Sequence, residues 1–345
     1  MKKLTSVCFI TLITLLILLS IACCACSRKE PQPVSSSEML LDTVCTITLY
    51  QPADQELLDK ALKRVAEYED LFSPSIPGSD IYRLNHAQGE PVSISAEAAE
   101  MLRLGLDYGQ LSQGLLDLTI GRVSQLWDFG GANHVPEEEE LQEALSTVDY
   151  RQLELSGSEE SGYTACLHDP ESQIEPGAIA KGYIADRIAA FLRENGVERA
   201  LIDLGGNILT LGGKSSGEPW IIGVETPFSD RTSIIGAVAV DEASVVTSGI
   251  YERQFIRDGQ LYHHILDPQT GFPVESGVVS VTIVSHSSAI GDCLSTLALL
   301  LGQEAGSDFL QRQPDVMGAI WVDQEGEIYV QGDIDFQKAD QQSMN

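Results

Sequence analysis

Asp292 and Thr296 stand four residues apart in a stretch, Ala289 to Leu301, whose apolar positions follow the helical period, so a carboxylate and a hydroxyl project from one face. Two oxygen ligands of this kind suit a hard cation such as Mg2+, which takes few protein ligands and completes its shell with water and substrate phosphates. A plainer reading gives Asp292 to a helix cap and Thr296 to a bond back to its own helix. A second feature is Gly177-Ala178-Ile179-Ala180-Lys181-Gly182-Tyr183-Ile184-Ala185-Asp186, where small residues and one Lys open a helix. Backbone N–H groups at such an end attract anions, Lys adds a point charge, and small residues let a phosphate approach. It departs from the Walker spacing, and Gly205-Gly206-Asn207 is not a dinucleotide fingerprint. Here too a plain helix start with an exposed Lys is the alternative.

His263-His264 precede an Asp267-Pro268-Gln269-Thr270-Gly271 turn, placing two imidazoles where one can move a proton and the other serve the fold. Thr247-Ser248-Gly249 and Asp117-Leu118-Thr119 are polar clusters after apolar runs, suited to turns or to ligand contacts. The motifs of serine hydrolases, zinc proteases and EF-hands are all missing.

These groups need a scaffold, and 345 residues with 43% hydrophobic content can build a large core. The chain carries 51 acidic against 21 basic side chains, a net charge of −30, which argues against nucleic-acid and anionic-lipid partners. Amphipathic helices are expected from Asp54 to Phe72, from Ser95 to about Leu111, from Ala180 to Asn195 and from Ala289 to Leu301, with a shorter one over Gln303 to Gln313 and an acidic helix start in Val135 to Leu145. Strands are expected at Leu41 to Tyr50, Ala200 to Leu204, on to Leu211, Ile221 to Glu225, Ile234 to Val240 and Val278 to Ser285. Regular βαβ alternation is missing, so the fold class is α+β, with largely antiparallel sheet and interspersed helices.

Lys2 and Lys3 precede an apolar run from Val7 to Ala22, followed by Cys23, Cys24 and Cys26. The pattern reads as a lipoprotein signal peptide over residues 1–22, with Cys23 the lipidated residue; an uncleaved membrane anchor is the alternative. Residues 23–38 read as a flexible tether, 39–335 as the folded domain and 336–345 as a polar tail. Cys45, Cys166 and Cys293 read as small buried apolar residues.

In their order along the chain these segments closely resemble the ApbE family of FAD:protein FMN transferases. The resemblance runs from about Met39 to Leu301 and includes Leu71-Phe72-Ser73, Gly114-Leu115-Leu116-Asp117, the block from Gly177 to Asp186, Gly205-Gly206, Thr247-Ser248-Gly249, His264 to Gly271 and Asp292 to Thr296. It implies an ApbE-like fold and Mg2+-dependent transfer of FMN from FAD to a Thr or Ser hydroxyl of an acceptor protein, with AMP released. Mg2+ would be held by Asp292, Thr296 and the Ala178 carbonyl. Met39, Leu115, Leu116, Asp117, Glu175, Lys181, Leu266 and Ser295 would contact flavin or pyrophosphate; Glu175 stands where the family more often has Asp. Lys181 would stabilise charge, and His264, oriented by Asp267, would take the hydroxyl proton. The acceptors would be electron-transfer subunits outside the cell membrane, to which this chain is lipid-anchored. An extracytoplasmic flavin-binding lipoprotein and an Mg2+-dependent FAD pyrophosphatase are the alternatives.

Overall fold

The computed structural model describes residues 32–229 and 232–339. In chain order its elements are Val34–Leu40 (β1), Thr43–Gln51 (β2), Gln55–Phe72 (α1), Asp80–Asn85 (α2), Val92–Ile94 (β3), Ala96–Leu111 (α3), Gly121–Trp127 (α4), Glu138–Leu145 (α5), Leu153–Ser158 (β4) and Gly162–Leu167 (β5). They continue with Ala180–Glu194 (α6), Arg199–Leu204 (β6), Asn207–Leu211 (β7), Trp220–Glu225 (β8), Ile234–Val240 (β9), Ser244–Gly249 (β10), Gln254–Arg257 (β11) and Gln260–His263 (β12). Val278–Ser285 (β13), Ser288–Leu301 (α7), Gln303–Leu310 (α8), Val316–Asp323 (β14), Ile328–Gly332 (β15) and Asp335–Lys338 (β16) complete the described chain.

An eight-stranded sheet ordered β1-β2-β6-β7-β10-β13-β14-β15 forms the centre. Each of its ladders is antiparallel, as are those of the smaller sheets β16-β9-β8, β3-β5-β4 and β11-β12. The period-two alternation of side chains sorts the sheet into two cores. Val281, Ile283, Ala319 and Trp321 face the helical layer of α1, α6 and α7, whereas Val245, Val284, Ile320 and Val322 pack on Trp220, Ile222 and Val238 of the β8–β9–β16 sheet. The central strand β13 is buried at every position, which is why its sequence is a continuous apolar run broken only by small hydroxyls.

Two boundaries expected from the sequence are moved. The tether expected over residues 23–38 ends earlier, because β1 runs from Val34 and pairs with β2 from Val34↔Leu49 to Leu40↔Thr43. Its serines are held by hydroxyl pairs, Ser35–Thr48 and Ser37–Thr46, both 2.8 Å. The tail expected at 336–345 is folded up to Lys338, where β16 pairs with β9 through Asp335↔Ala239 and Phe336↔Val238. Leu41 and Asp42, expected inside a strand, instead form a turn at φ 55° and 56°, and the Leu41 N–H donates to Glu69 Oε1 at 2.8 Å. The signal segment and Cys23 lie outside the described residues, and among those described no helix is long and apolar enough to cross a membrane.

Candidate active site

Helices α6 and α7 lie antiparallel and cap one another. Asp292, in the second turn of α7, accepts the Gly182 N–H at 2.9 Å through Oδ2, filling one of the donors that the first turn of α6 leaves unmatched. In return Asp186 of α6 accepts Ser288 N at 2.9 Å, Ala289 N at 3.0 Å and the Ser287 hydroxyl at 2.7 Å, closing the start of α7. Such intimacy needs Gly182: a Cβ there would lie 2.6 Å from the Ser288 carbonyl carbon and 2.8 Å from the Ala289 Cα. Asp292 therefore does cap a helix first turn, but that of its neighbour.

Lys181 sits one residue before Gly182, half-buried, and makes no ion pair or hydrogen bond with a described residue. Its charge is felt at Asp292, Glu175 and His264, which places all four groups in one region. Burial raises the Asp292 carboxyl above its ordinary range, opposed by Lys181 and the Gly182 N–H. The Asn207 amide faces the same carboxylate, short of a formed hydrogen bond, and its Nδ2 is buried without a partner; its Oδ1 accepts the Ser288 hydroxyl at 2.6 Å. A buried carboxylate with a spare donor beside it is a site where charge is meant to be held.

Thr296 is half-buried, with Oγ1 3.1 Å from Ser248 Oγ. The plainer reading gives Thr296 a bond back to its own helix; the carbonyl four residues before it, that of Asp292, accepts the Ser295 hydroxyl at 3.0 Å. Ala178 precedes α6, and its carbonyl lies outside the helical ladder, which begins with Tyr183 N donating to Ile179 O. Carboxylate, hydroxyl and free carbonyl make a mixed set of hard oxygens that fits Mg2+. Among the described residues no group of three or more His, Cys, Asp or Glu side chains is arranged to hold a metal.

His264 follows β12 at the base of the β11–β12 hairpin. Its N–H donates to the Arg253 carbonyl at 3.0 Å, and its Nδ1 lies 3.2 Å from the same oxygen. A carbonyl only accepts, so Nδ1 carries the proton and Nε2 keeps its lone pair. Burial, then the Arg253 guanidinium, lowers the ring to about 3; it is neutral at working pH. Asp267 does not orient it. That carboxylate accepts Gln269 N at 2.8 Å and closes its own turn, an Asx geometry favoured by Asp before Pro. Arg253 itself reaches Asp42 at 3.7 Å. His263 is buried, its Nδ1 unpartnered, and burial lowers it to about 4.

The remaining expected contacts divide. Glu175 is half-buried at the site, accepts Gly177 N at 3.2 Å, and is raised by burial against the pull of Arg253 and Lys181. Met39, at 73% exposure, and the half-buried Leu115 are open to a ligand. Leu116 and Leu266 are core residues, at 3% and 6% exposure. Asp117 accepts with both oxygens inside the protein, from Thr119 N at 2.8 Å, the Thr119 hydroxyl at 2.6 Å and Tyr150 N at 2.8 Å, and so organises its own loop. Ser295 is fully buried, its hydroxyl committed within α7 and to Ser248.

Of two cavities beside α3, the larger, about 380 Å3, lies against the α6–α7 junction, lined by Arg103 and Asp107 of α3, Tyr183 and Asp186 of α6, and Ser287 and Ala289 at the start of α7, while the other, about 340 Å3, lies between α3 and Tyr150, Leu153 and Leu155. Cys166, His168 and Glu154 form a line, with Sγ–Nδ1 3.9 Å and Nε2–Oε2 2.8 Å, that resembles an activated thiol. The thiol gives its proton to the Gly89 carbonyl at 3.1 Å, and burial with Glu154 and Glu90 nearby raises its pKa, so it is no nucleophile. Cys45, pushed up to about 12, and the fully buried Cys293 are equally inert.

In this antiparallel α+β fold a helix N-terminus, a lysine with no described partner and a buried carboxylate gather at one helix junction, an arrangement able to attract a phosphate anion. The chain belongs to the ApbE family, whose model matches residues 41–321. It is 36% identical over 296 residues to an FAD:protein FMN transferase of Klebsiella pneumoniae, covering 85% of this chain and 90% of that one. A protein of the same name from Treponema pallidum is 33% identical over 305 residues, covering 84% of each. Among solved structures, the ApbE protein of Thermotoga maritima superposes with a TM-score of 0.78 at 28% identity, covering 88% of this chain and 97% of that one. The flavin transferase ApbE of Vibrio cholerae gives 0.76 at 28%, covering 87% and 97%.

Proposed function

We propose that this chain transfers the FMN moiety of FAD to a Thr or Ser hydroxyl of an acceptor protein and releases AMP. The carrying observation is the junction of α6 and α7, where an unpaired Lys181, a helix N-terminus and the Asp292–Thr296–Ala178 oxygen set meet, in a chain whose relatives bear the transferase name. Mg2+ held by Asp292, Thr296 and the Ala178 carbonyl would supply neutralisation of the two phosphates. Lys181 and the start of α6 attract the pyrophosphate and balance charge as the bond between the phosphates breaks toward AMP. The acceptor hydroxyl oxygen forms the new bond to the FMN phosphorus, and its proton passes to Nε2 of His264, a ring that burial keeps neutral and whose own proton the Arg253 carbonyl holds at Nδ1. Met39, Leu115 and Glu175 line the approach available to the flavin half.

The same reading anchors the chain outside the cell membrane through Cys23. It is supported by Lys2 and Lys3, the apolar run from Val7 to Ala22 and the cysteine that follows, and it makes extracytoplasmic flavin-carrying subunits the acceptors. The test incubates the body from Ser35 onward with FAD, Mg2+ and a Thr-bearing acceptor domain, and weighs the acceptor. A gain of one FMN, abolished by EDTA, is the expected result. AMP release without a mass gain on any acceptor would replace the reading by an FAD pyrophosphatase, and FAD bound intact in Mg2+ would replace it by a flavin-binding lipoprotein.

A further inference from the structure

We propose that Ser248 is a positioning residue for Thr296: a one-way chain of hydroxyl protons, from Thr296 to Ser248 to Ser295 to the Asp292 carbonyl, leaves the Thr296 lone pairs free for a cation. The inference rests on the Mg2+ reading above. It follows from counting protons. Ser295 Oγ lies 3.0 Å from the Asp292 carbonyl oxygen, which has no proton to give, so Ser295 donates. Each hydroxyl owns one proton. At the 2.7 Å contact between Ser295 and Ser248, Ser248 must therefore be the donor. With that proton spent, the 3.1 Å contact between Ser248 and Thr296 is donated by Thr296. Thr296 is the only hydroxyl of the three that accepts nothing from the other two.

The fold supplies the geometry for this. On β10 the residues alternate between faces, Val245 toward the small sheet and Val246 against Gly291 of α7, so Ser248 shares the helix-facing side. The usual outlet for a helical Thr proton, the carbonyl four residues back, is that of Asp292, and Ser295 occupies it. Without Ser248 the Thr296 proton has lost its partner and turns to other acceptors, at the expense of the lone-pair direction a cation needs. Without Ser295 the Ser248 proton is released and can swing onto Thr296, consuming one of its lone pairs. Supporting hydrogen bonds of this kind are each worth roughly 10–100-fold in metal affinity.

The experiment measures Mn2+ and Mg2+ binding by calorimetry on the FAD-free protein, with urea unfolding in EDTA beside it. Ser248→Ala is expected to weaken metal binding at least about tenfold with its unfolding midpoint in EDTA kept, Ser248→Thr to restore it, and Ser295→Ala to weaken it although the Ser295 hydroxyl, spent on the Asp292 carbonyl, is not among the proposed ligands. Should Ser248→Ala unfold, Ser295→Ala and Ser248→Thr carry the comparison. Wild-type affinity in Ser248→Ala, or in Ser295→Ala where Ser248→Ala is unfolded, alongside lost binding in Thr296→Ala, overturns the relay alone. Wild-type affinity in Thr296→Ala and Asp292→Asn overturns the metal reading beneath it.

Discussion

Adding one methyl group at Gly182 tests whether the α6–α7 junction makes the site. The new carbon would lie 2.6 Å from the Ser288 carbonyl carbon, where ordinary contact begins near 3.4 Å, so the helices must part by 3.4 − 2.6 = 0.8 Å. The atoms in the way are main chain and cannot turn aside. The bond from Gly182 N to Asp292, now 2.9 Å, would stretch to about 3.7 Å, past hydrogen-bond length. Overpacking costs roughly 1–3 kcal/mol, and a lost bond to a buried carboxylate roughly 1.5–3 kcal/mol. Gly182→Ala should therefore be destabilised by about 2.5–6 kcal/mol in urea unfolding. Residual folded protein should bind Mg2+ poorly and transfer FMN slowly, because Asp292 has moved away from the start of α6. Wild-type stability and metal affinity in this variant would refute the reasoning, since the two helices would then tolerate a separation the junction forbids.

Asp292→Asn keeps an acceptor for Gly182 N–H while removing a charge that burial penalises, so in EDTA at pH 7 it should unfold no more easily than the parent, yet lose metal binding and transfer; a large drop in stability would show that the charge itself holds the fold. His264→Ala should lower turnover at least a hundredfold, at the low end of what a general base contributes, with FAD affinity kept. Weakened FAD binding at unchanged kcat would make His264 a binding residue. Because its ring is lowered to about 3, the pH profile of kcat should show no limb from this group between pH 5.5 and 8, and an acid limb near 6.5 would contradict the burial described. His263 is lowered from 6.5 to about 4, so its contribution to stability is complete above pH 6.5 and is lost as pH falls toward 4. Over that range the gap in unfolding free energy between the protein and His263→Gln should shrink by up to about 3 kcal/mol, measured by urea titration at each pH; a constant gap would mean the ring takes up its proton in the folded state. The buried carboxylates Asp117 and Asp186, raised by burial, act with the opposite sign but cancel between the two proteins.

Elements with a single strong period were legible in the sequence: α1, α3, α6 and α7 fall within a residue or two of their expected limits, with Asp54, Ser95 and Ser287 as N-caps. β1 was not, because its Ser-Ser-Ser reads as solvated chain and becomes a strand only through β2, whose Thr46 and Thr48 supply matching hydroxyls. β16 is the same case at the other end, a polar segment made regular by β9. Within the site, Lys181, Asp292 and His264 could be named because their residue types carry their chemistry. Asp117, Asp267 and Ser295 could not be judged that way: an acidic or hydroxyl side chain in a promising segment looks alike whether it meets a ligand or a main-chain N–H. Ser248 was visible only as part of a polar cluster. The signal that sets it apart is parity, since it lies two residues from Val246 and so faces α7.

The mutual capping of α6 and α7 binds the order of assembly. Neither helix can satisfy its opening N–H groups from its own sequence at these points, since the acceptor for each is carried by the other. The two should therefore form and open as a single unit in amide exchange, with Gly182, Ser288 and Ala289 protected to the same degree. The oxygens that would grip a cation and the donors that would greet a phosphate should then come and go together, so that a chain with this junction open would offer FAD neither.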